Sequence, residues 1–525
     1  MNPYLPLIAT VATMLLSSAP ARGAAREQTA THPDSVTSAA GLLHRSEVVA
    51  SPVARFEQQQ FTPNPGSMFY LLPFSLSDLK LCGSWTDSAE PVVVQEGTGG
   101  LKGSVTASSY MRINARTVVW GNAGFTSQKT HDILWNNSAD YPLVGPYVLG
   151  DSVGGDLTTR RYSFAGGYAG KHRRWTWGAE ASYLASIGYR NRDPRDKIVV
   201  SDLNVKAGAT LLVGKRYIAG IGADLRVYNQ ESDVEFYNPN NDIRTYLLTG
   251  LGNTYARFSG TTSRNTAYKG IGTGAAMQLL PASGKGFSLS TRFGWLRLTQ
   301  VLRDYNNLDL TRQEIFTLDV KSAYTLTAGA VTTGFLLDVN LSRRPGFENI
   351  FGSSVGNNYT RIGSRRNYLL DSGNATLTIP VSFDASSKVH VDLLPAINAS
   401  YSHEEYRWPE RALETHSLTP SLEARLRWRR SPGLLFTLNM GTAHRFATAD
   451  RRKLPGLDDR SSLGAAVIHN FDMLTAGMTA YGAELATICQ LPSSMAMKVA
   501  VNGSIQAYNN HGSRRSATLS ASIIF

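Results

Sequence analysis

The C-terminal segment, residues 513–525, constrains the fold more than any other part of this chain. After Arg515 its side chains alternate between an apolar face and a mostly polar face, the pattern of a strand with two different surroundings. The apolar face carries Ala517, Leu519, Ala521, Ile523 and Phe525, and the polar face carries Thr518, Ser520 and Ser522. In a soluble protein such a terminal strand is an adhesive sheet edge, whereas a closed barrel has no edge. The segment therefore favours the closing strand of a β-barrel in a membrane.

The same alternation recurs along the chain from about residue 115 onward. Residues 175–189 show it most clearly, because one face is aromatic at both ends and small between them, while the other face is mostly polar or glycine. That face carries Trp175, Trp177, Ala179, Ala181, Tyr183, Ala185, Ile187 and Tyr189. An apolar band between two aromatic girdles is typical of a strand that faces lipid. Residues 203–213, 331–342, 417–428 and 495–506 repeat the alternation.

Turn residues indicate how these strands are connected. Short connections are expected near Lys171, Gly214, Gly284, Gly329, Ser386, Pro432 and Pro492, and the connections between them are often long. Short turns at one end and long loops at the other are typical of outer-membrane barrels. A soluble propeller would instead show a blade motif every 40–50 residues or so, and the sequence has none. We predict an all-β, antiparallel, up-and-down transmembrane barrel of about 16 strands, within a range of about 14–18.

The first hundred residues predict export followed by a segment outside the barrel. An apolar stretch from Leu5 to Ala19 precedes small residues at 23–25, the pattern of a cleavable signal peptide over residues 1–25. Residues 26–100 do not follow the barrel alternation. We expect them to form a flexible leader and a small element that lies in the periplasm or inside the barrel lumen. Residues 101–525 are predicted to form the barrel, located in the cell outer membrane.

The charge and the cysteine content limit the kinds of partner and cross-link that are expected. The formal net charge is +12, but the arginines are scattered along the chain, so nucleic acid is not expected as a partner. Outer-membrane lipid, with its lipopolysaccharide phosphates, and the barrel lumen are the expected surroundings of that charge. Cys82 and Cys489 are too few for a disulfide scaffold, and whether they pair stays open.

Several segments carry a resemblance to a known family. They are QEG at 95–97, WG at 120–121, WNNSADY at 135–141, PY at 146–147, DSVGGD at 151–156 and YSFAGGYA at 162–169. Through them, residues 60–525 resemble a family of uncharacterised outer-membrane β-barrels from the Bacteroidota, a domain of unknown function. The terminal Phe525 resembles the insertion signal of such barrels, which implies recognition by the barrel-assembly machinery. The resemblance implies a fold and a location, and it brings no activity and no functional residues.

The inward positions of the predicted strands carry many ionisable side chains. The lumen-facing candidates are Glu180, Asp202, Lys206, Arg216, Asp224, Arg226, Arg292, Asp338, Asp392, Glu423, Arg425, Arg427 and Lys498. Burying so many charges in a dry core would cost several kcal/mol each unless they were paired. Either a water-filled pore or a dense network of salt bridges in a closed barrel would accommodate them, and the mixture of signs leaves both open.

The predicted function is transport, as a passive or substrate-selective channel for a small solute or glycan. The alternative is a closed barrel that acts as a scaffold, or binds glycans or partner proteins, through long loops at 128–160, 231–265, 344–372 and 448–473. The loop-binding candidates are Trp135, Tyr141, Tyr147, Tyr237, Tyr246 and Tyr359. An energy-coupled transporter is disfavoured, because only about 75 mature residues precede the predicted barrel.

Enzymatic activity is not expected, and no catalytic residue, cofactor or metal is predicted. Gly150-Asp151-Ser152 is better explained as a turn in a long loop than as a hydrolase nucleophile, which needs a positioned base. His403-Glu404-Glu405 lacks the second histidine of a zinc-binding helix.

Overall fold

The computed structural model describes residues 41, 45, 46, 49 and 51–525, apart from residues 215, 239–242, 283–285, 357 and 492–494. The expected signal peptide and most of the expected leader lie outside the described residues. From residue 51 onward the α-helices are α1 (Pro52–Phe61), α2 (Tyr141–Val144) and α3 (Ser462–Thr475). Among the described residues, no helix is long and apolar enough to cross a membrane.

The strands follow the chain in this order: β1 (Leu76–Ser88), β2 (Gly99–Asn114), β3 (Thr117–Ile133), β4 (Leu149–Asp151), β5 (Gly155–His172), β6 (Trp175–Tyr189), β7 (Arg195–Val213), β8 (Tyr217–Glu235), β9 (Thr245–Gly250), β10 (Asn253–Thr254), β11 (Arg264–Pro281), β12 (Phe287–Leu302), β13 (Leu308–Ala328), β14 (Val331–Val355), β15 (Asn358–Thr378), β16 (Val381–Ser386), β17 (Val389–Tyr406), β18 (Arg411–Ser431), β19 (Leu434–Lys453), β20 (Met478–Leu491), β21 (Met495–Tyr508) and β22 (Ser513–Ile524).

Nineteen of these strands form one antiparallel sheet that closes on itself. β1 closes the ring, since it pairs with β2 on one side and with β22 on the other. Ser77 and Phe525 exchange two backbone hydrogen bonds of 2.9 Å at this seam. β16 follows β15 after Pro380 and shares its neighbours β14 and β17, so it continues one strand of the wall. The wall therefore has eighteen strands, and β4, β9 and β10 form a separate small sheet.

The predicted antiparallel up-and-down barrel is confirmed, and its eighteen strands lie within the predicted range of about 14–18, two above the central value of about sixteen. The two additional strands are β1 and β2, at the start of the wall. The wall begins at Leu76, earlier than the residue 101 that the alternation predicted. The sequence pattern did not predict β1, because prolines and aromatic residues precede this strand closely and its alternating segment is short.

The outer face of the wall is apolar and carries aromatic side chains at two levels. Trp175, Trp177 and Tyr168 are exposed near the turn between β5 and β6, and Tyr168 packs against Trp177 with ring centroids 5.3 Å apart. Farther along the same strands, Phe164 and Tyr183 are exposed cross-strand partners. This is the expected band between two aromatic girdles, and the outer face is therefore suited to lipid.

The two ends of the barrel differ in their connections. β2–β3, β5–β6, β7–β8 and the later hairpins close through short turns at one end, the short-turn end, where β1 starts and β22 ends. The long-loop end holds the connections that contain α2 with β4, β9 with β10, and α3. The predicted loop at 344–372 is wrong, because β14 continues to Val355 and pairs there with Asn358, the first residue of β15.

Deleting β1 should prevent the barrel from closing. β2 and β22 would become the free edges, and they run in the same direction because each is antiparallel to β1. We expect a variant without residues 76–88 to lose the compact, heat-modifiable band of folded barrels on cold SDS gels. A variant without residues 26–38 should keep it. A folded band from the β1 deletion would contradict this closure.

Candidate functional site in the barrel lumen

The chain that precedes the barrel crosses its lumen near the short-turn end. Residues 60–72, here called the strap, follow α1 and run along the inner faces of β2 and β5–β8. Tyr110 and Arg112 of β2 donate hydrogen bonds to the strap carbonyls of Met68 (2.8 Å) and Leu72 (2.8 Å). Because its backbone carbonyls accept hydrogen bonds from side chains of the wall, the strap is an integral part of the folded barrel interior.

A patch of four wall glycines allows the strap backbone to approach the wall closely. Gly178, Gly208, Gly220 and Gly222 lie on β6, β7 and β8, and a Cβ at any of them would come within 3.0 Å of a strap atom. At Gly208 that Cβ would lie 1.9 Å from Oδ1 of Asn64, the fully buried residue at the centre of the strap. Asn64 donates from Nδ2 to the carbonyl of Ala209 at 3.1 Å, which fixes the strap to β7.

Above the glycine patch, six of the predicted lumen residues form one network of ion pairs. Lys206 Nζ lies 3.0 Å from Glu180, whose other oxygen accepts a bond of 2.7 Å from the indole N–H of Trp120. Arg226 donates two bonds of 2.9 and 2.7 Å to Asp202. Arg292 donates to Asp224 at 2.9 Å. The structure thus brings together three acids and three bases that are distant in sequence.

The remaining lumen candidates are spread over the opposite wall. Asp338 pairs with Lys321, which lies over the Phe56 ring of α1 at 5.3 Å. Asp392 accepts from Ser382 at 2.6 Å and has Arg427 at 3.5 Å. The other three are Glu423 and Arg425 of β18 and Lys498 of β21. Glu423 lies near Arg425, and Arg55 of α1 lies near both Arg425 and Lys498. Arg216 does not belong to this set, because it lies exposed in the turn before β8 starts at Tyr217.

The long-loop end is occupied by two inserted connections, here called the mouth insert (residues 134–154 and 244–261). Their strands β4, β9 and β10 pair into the small sheet. The insert reaches wall strands that lie far apart. Tyr228 of β8 donates to Asp140 at 2.9 Å, Gln313 of β13 to the Val144 carbonyl at 2.8 Å, and Arg411 of β18 to the Leu251 carbonyl at 2.8 Å. The mouth insert therefore spans the interior of the wall at this end.

An apolar core lies between the mouth insert and the wall. Val144 and Val148 of the insert are completely buried against inward side chains of the wall. Those side chains include Ile198, Val200, Tyr228, Tyr268, Leu298 and Ile315. The inward face of the wall is thus apolar near the long-loop end and charged farther down, so the mouth insert excludes water from its contacts.

A buried ionic cluster holds the mouth insert to the end of the wall. Arg190 lies 3.1 Å from both Asp151 and Asp196, and all three side chains are almost completely buried. Asn137 donates to both carboxylates, at 2.9 and 2.8 Å. Two carboxylates thus share one guanidinium, and burial raises the pKa of Asp196 to about 7. Asp151 also accepts from the backbone N–H groups of Val153 and Gly154, so the chain turns directly after Gly150 and Asp151, which end β4.

The loop-binding candidates divide between packing and exposed positions. Trp135 and Tyr147 are 5% and 1% exposed, so neither ring is free to bind a ligand in this conformation. Trp135 packs against Tyr246, and Tyr147 packs against Tyr368 of β15. The others are Tyr141, which packs against the apolar core, Tyr359, which packs against Phe258, and Tyr237, which is exposed. Sequence reasoning missed that an aromatic loop can fold back into the barrel.

Cys82 of β1 and Cys489 of β20 are both free thiols. Among the described residues, no group of three or more His, Cys, Asp and Glu side chains is placed to hold a metal ion.

A bulky residue at Gly208 should displace the strap. In Gly208→Val the added carbon atoms would overlap Asn64, and overpacking of this kind costs about 1–3 kcal/mol. We expect trypsin to cleave after Arg55 of α1 roughly tenfold faster than in the wild type. Gly103→Val is the matched control, since a Cβ at Gly103 meets no atom within 4 Å. Equal cleavage in both variants would show that the strap does not depend on the glycine patch.

The mouth insert should be held more firmly at acidic pH. The pKa of Asp196 is about 7 in the folded state against 3.8 as its ordinary value, so folding takes up a proton between these values. Stability therefore falls as pH rises through this window. Amide exchange of residues 134–154, corrected for intrinsic rates, should be slower at pH 5.5 than at pH 8. Asp196→Asn should abolish this difference in exchange rate between the two pH values, whereas Asp459→Asn, at an exposed position, should keep it. A difference that survives Asp196→Asn would refute the assignment of the pH dependence to Asp196.

Comparison with solved structures finds barrels of low similarity. The ferric enterobactin receptor PfeA of Pseudomonas aeruginosa has 8% sequence identity and a TM-score of 0.36, with 85% of this chain and 80% of that chain covered. The ferric preacinetobactin receptor BauA of Acinetobacter baumannii has 10% identity and a TM-score of 0.38, covering 86% and 80%. The ferric citrate transporter FecA has 10% identity and a TM-score of 0.37, covering 86% and 79%. Likenesses this weak carry no argument about function.

No curated protein matches this chain. The match that covers most of the sequence is to a family model, over residues 66–525, and these residues include the second half of the strap (66–72) and every strand of the wall. The chain therefore belongs to the family of unknown function DUF6850.

Proposed function

We propose that this protein is a gated, substrate-selective transport barrel of the outer membrane, without enzymatic activity. The observation that carries the proposal is the mouth insert, which is hydrogen-bonded to β8, β13 and β18 across the interior of the wall. With such an insert in place, a steadily open passive channel is the less favoured form of transport. The short-turn end would face the periplasm and the long-loop end the exterior.

The charged lumen supports transport over a purely structural role. Several lumen side chains keep contact with solvent, as Asp319 and Asp338 do with 34% and 40% of their side-chain surfaces exposed. A barrel of this width usually encloses space that its wall side chains do not fill. A scaffold would have no need of a hydrated, charged interior, whereas a solute pathway requires one.

A second candidate function is surface binding through the β14–β15 hairpin. Val355 and Ile362 near its tip are 83% and 68% exposed. Apolar side chains that project this far are typical of contact surfaces. The hairpin could contact a partner protein or glycan whether or not the lumen conducts.

Conductance in planar bilayers tests whether the strap and the mouth insert keep the lumen closed. Gly208→Val loosens the strap, and Arg190→Met leaves two buried carboxylates without their cation, a loss of about 3–5 kcal/mol. We expect little conductance from the wild type, brief openings from each single variant, and the largest conductance from the double variant. Gly103→Val should behave as the wild type.

Two outcomes would contradict the proposal. Steady conductance of the wild type would show an open pore. Silence of the double variant, shown to be folded by its heat-modifiable band, would favour the closed barrel that binds through its surface.

A further inference from the structure

A cleft in the lumen wall has the size and chemistry of a binding site. Its volume is about 580 Å³, and it is lined by the strap residues Thr62 and Pro63, by residues of β3 and β5–β8, and by Arg292 of β12. Pockets for small ligands typically enclose about 300–1,000 Å³. The ion pairs of Glu180, Asp202, Arg226 and Arg292 lie along its side. Because the strap forms one edge, a ligand here would contact both the wall and the strap.

The charges around the cleft are balanced and already paired. Glu180, Asp202 and Asp224 each have a basic partner within about 3 Å, as described above. A ligand with a net charge would have to break one of these pairs or remain uncompensated, and breaking a partly buried pair is costly. The cleft therefore disfavours anions and cations as ligands, although its walls are ionic.

The cleft nevertheless offers many hydrogen bonds of both kinds. Each carboxylate retains free lone pairs, and each guanidinium retains N–H groups beyond those in its pair. Asn204 and Asn122 add amide groups to the lining, and Oδ1 of Asn204 is buried without a hydrogen-bond partner. A hydroxyl group both donates and accepts, so it can join such a network without displacing an ion pair.

We infer that this cleft binds a neutral, polyhydroxylated solute of about mono- to disaccharide size. The inference rests on the proposed transport function, because it places a selective binding site on the solute pathway through the lumen. The ion pairs supply donors and acceptors in fixed positions, and the amide side chains of Asn122 and Asn204 line the cleft beside them. The strap holds the ligand against the wall through Thr62 and Pro63.

Titration calorimetry of the full-length protein in detergent tests the site. The probes are glucose, N-acetylglucosamine, maltose, lactose and cellobiose, with glutamate and inorganic phosphate as charged comparisons. We expect saturable binding of at least one neutral sugar and none of the charged probes. Asn204→Leu and, independently, Asn122→Leu should weaken that binding roughly three- to tenfold, the effect of one neutral hydrogen bond. Asn502→Leu is the control, since it makes the same change on β21, away from the cleft.

Each further result bears on the inference. Saturable binding of no neutral sugar, preference for a charged probe, or equal affinity in Asn204→Leu, Asn122→Leu and Asn502→Leu would overturn it. Uptake of the bound sugar into proteoliposomes separates the two proposals. Binding with no uptake, even in the double gate variant, would refute transport and leave the cleft intact. Uptake that is insensitive to both cleft variants would support transport and refute the cleft.

Discussion

The wall of this barrel depends on one constraint, that every backbone N–H and C=O within lipid must find a partner on a neighbouring strand. A ring of antiparallel strands meets it only when the number of strands is even, so that the first and last also run in opposite directions. β1 supplies this parity, because it is antiparallel to both β2 and β22. The strap and α1 precede β1 directly, so closing the wall at the seam also brings the preceding chain to the short-turn end of the lumen.

Eighteen strands enclose more space than their own side chains fill, and two inserted segments occupy it by different means. The mouth insert buries apolar side chains such as Val144 and Val148, each of which stabilises it by about 1.5–3 kcal/mol. The strap differs in its close backbone approach to wall glycines and in its hydrogen bonds, each with a net contribution of about 1 kcal/mol, and it also buries Met68, Phe69 and Leu72. The difference between the two segments is therefore the glycine patch, which allows the strap backbone to lie directly against the wall.

Local sequence patterns predicted the features of the fold that depend on contact with lipid. The remaining features depend on packing between residues that are distant in sequence. The girdle residues Trp175 and Trp177 and the short turns follow from alternation alone, because every lipid-facing strand meets the same surroundings. The apolar run at residues 198–200 places apolar side chains on both faces of β7, and only the folded mouth insert explains why the inward Ile198 and Val200 are apolar. Trp135 and Tyr147 had no such indication in sequence, since their partners Tyr246 and Tyr368 are more than a hundred residues away. The ion pairs of Asp202 and Asp224 likewise depend on strand register.

The distribution of charge then bears on selectivity. The whole chain carries a formal charge of +12, yet the network around Glu180, Asp202 and Asp224 is neutral because each acid has one base. At the outer end of β19 two further cations are also paired, Arg452 with Asp472 and Lys453 with Glu410. A neutral but strongly polar interior discriminates between solutes by hydrogen bonding rather than by charge. Selection at the proposed cleft would therefore depend on the positions of donors and acceptors, and the net charge of the whole chain takes no part in it.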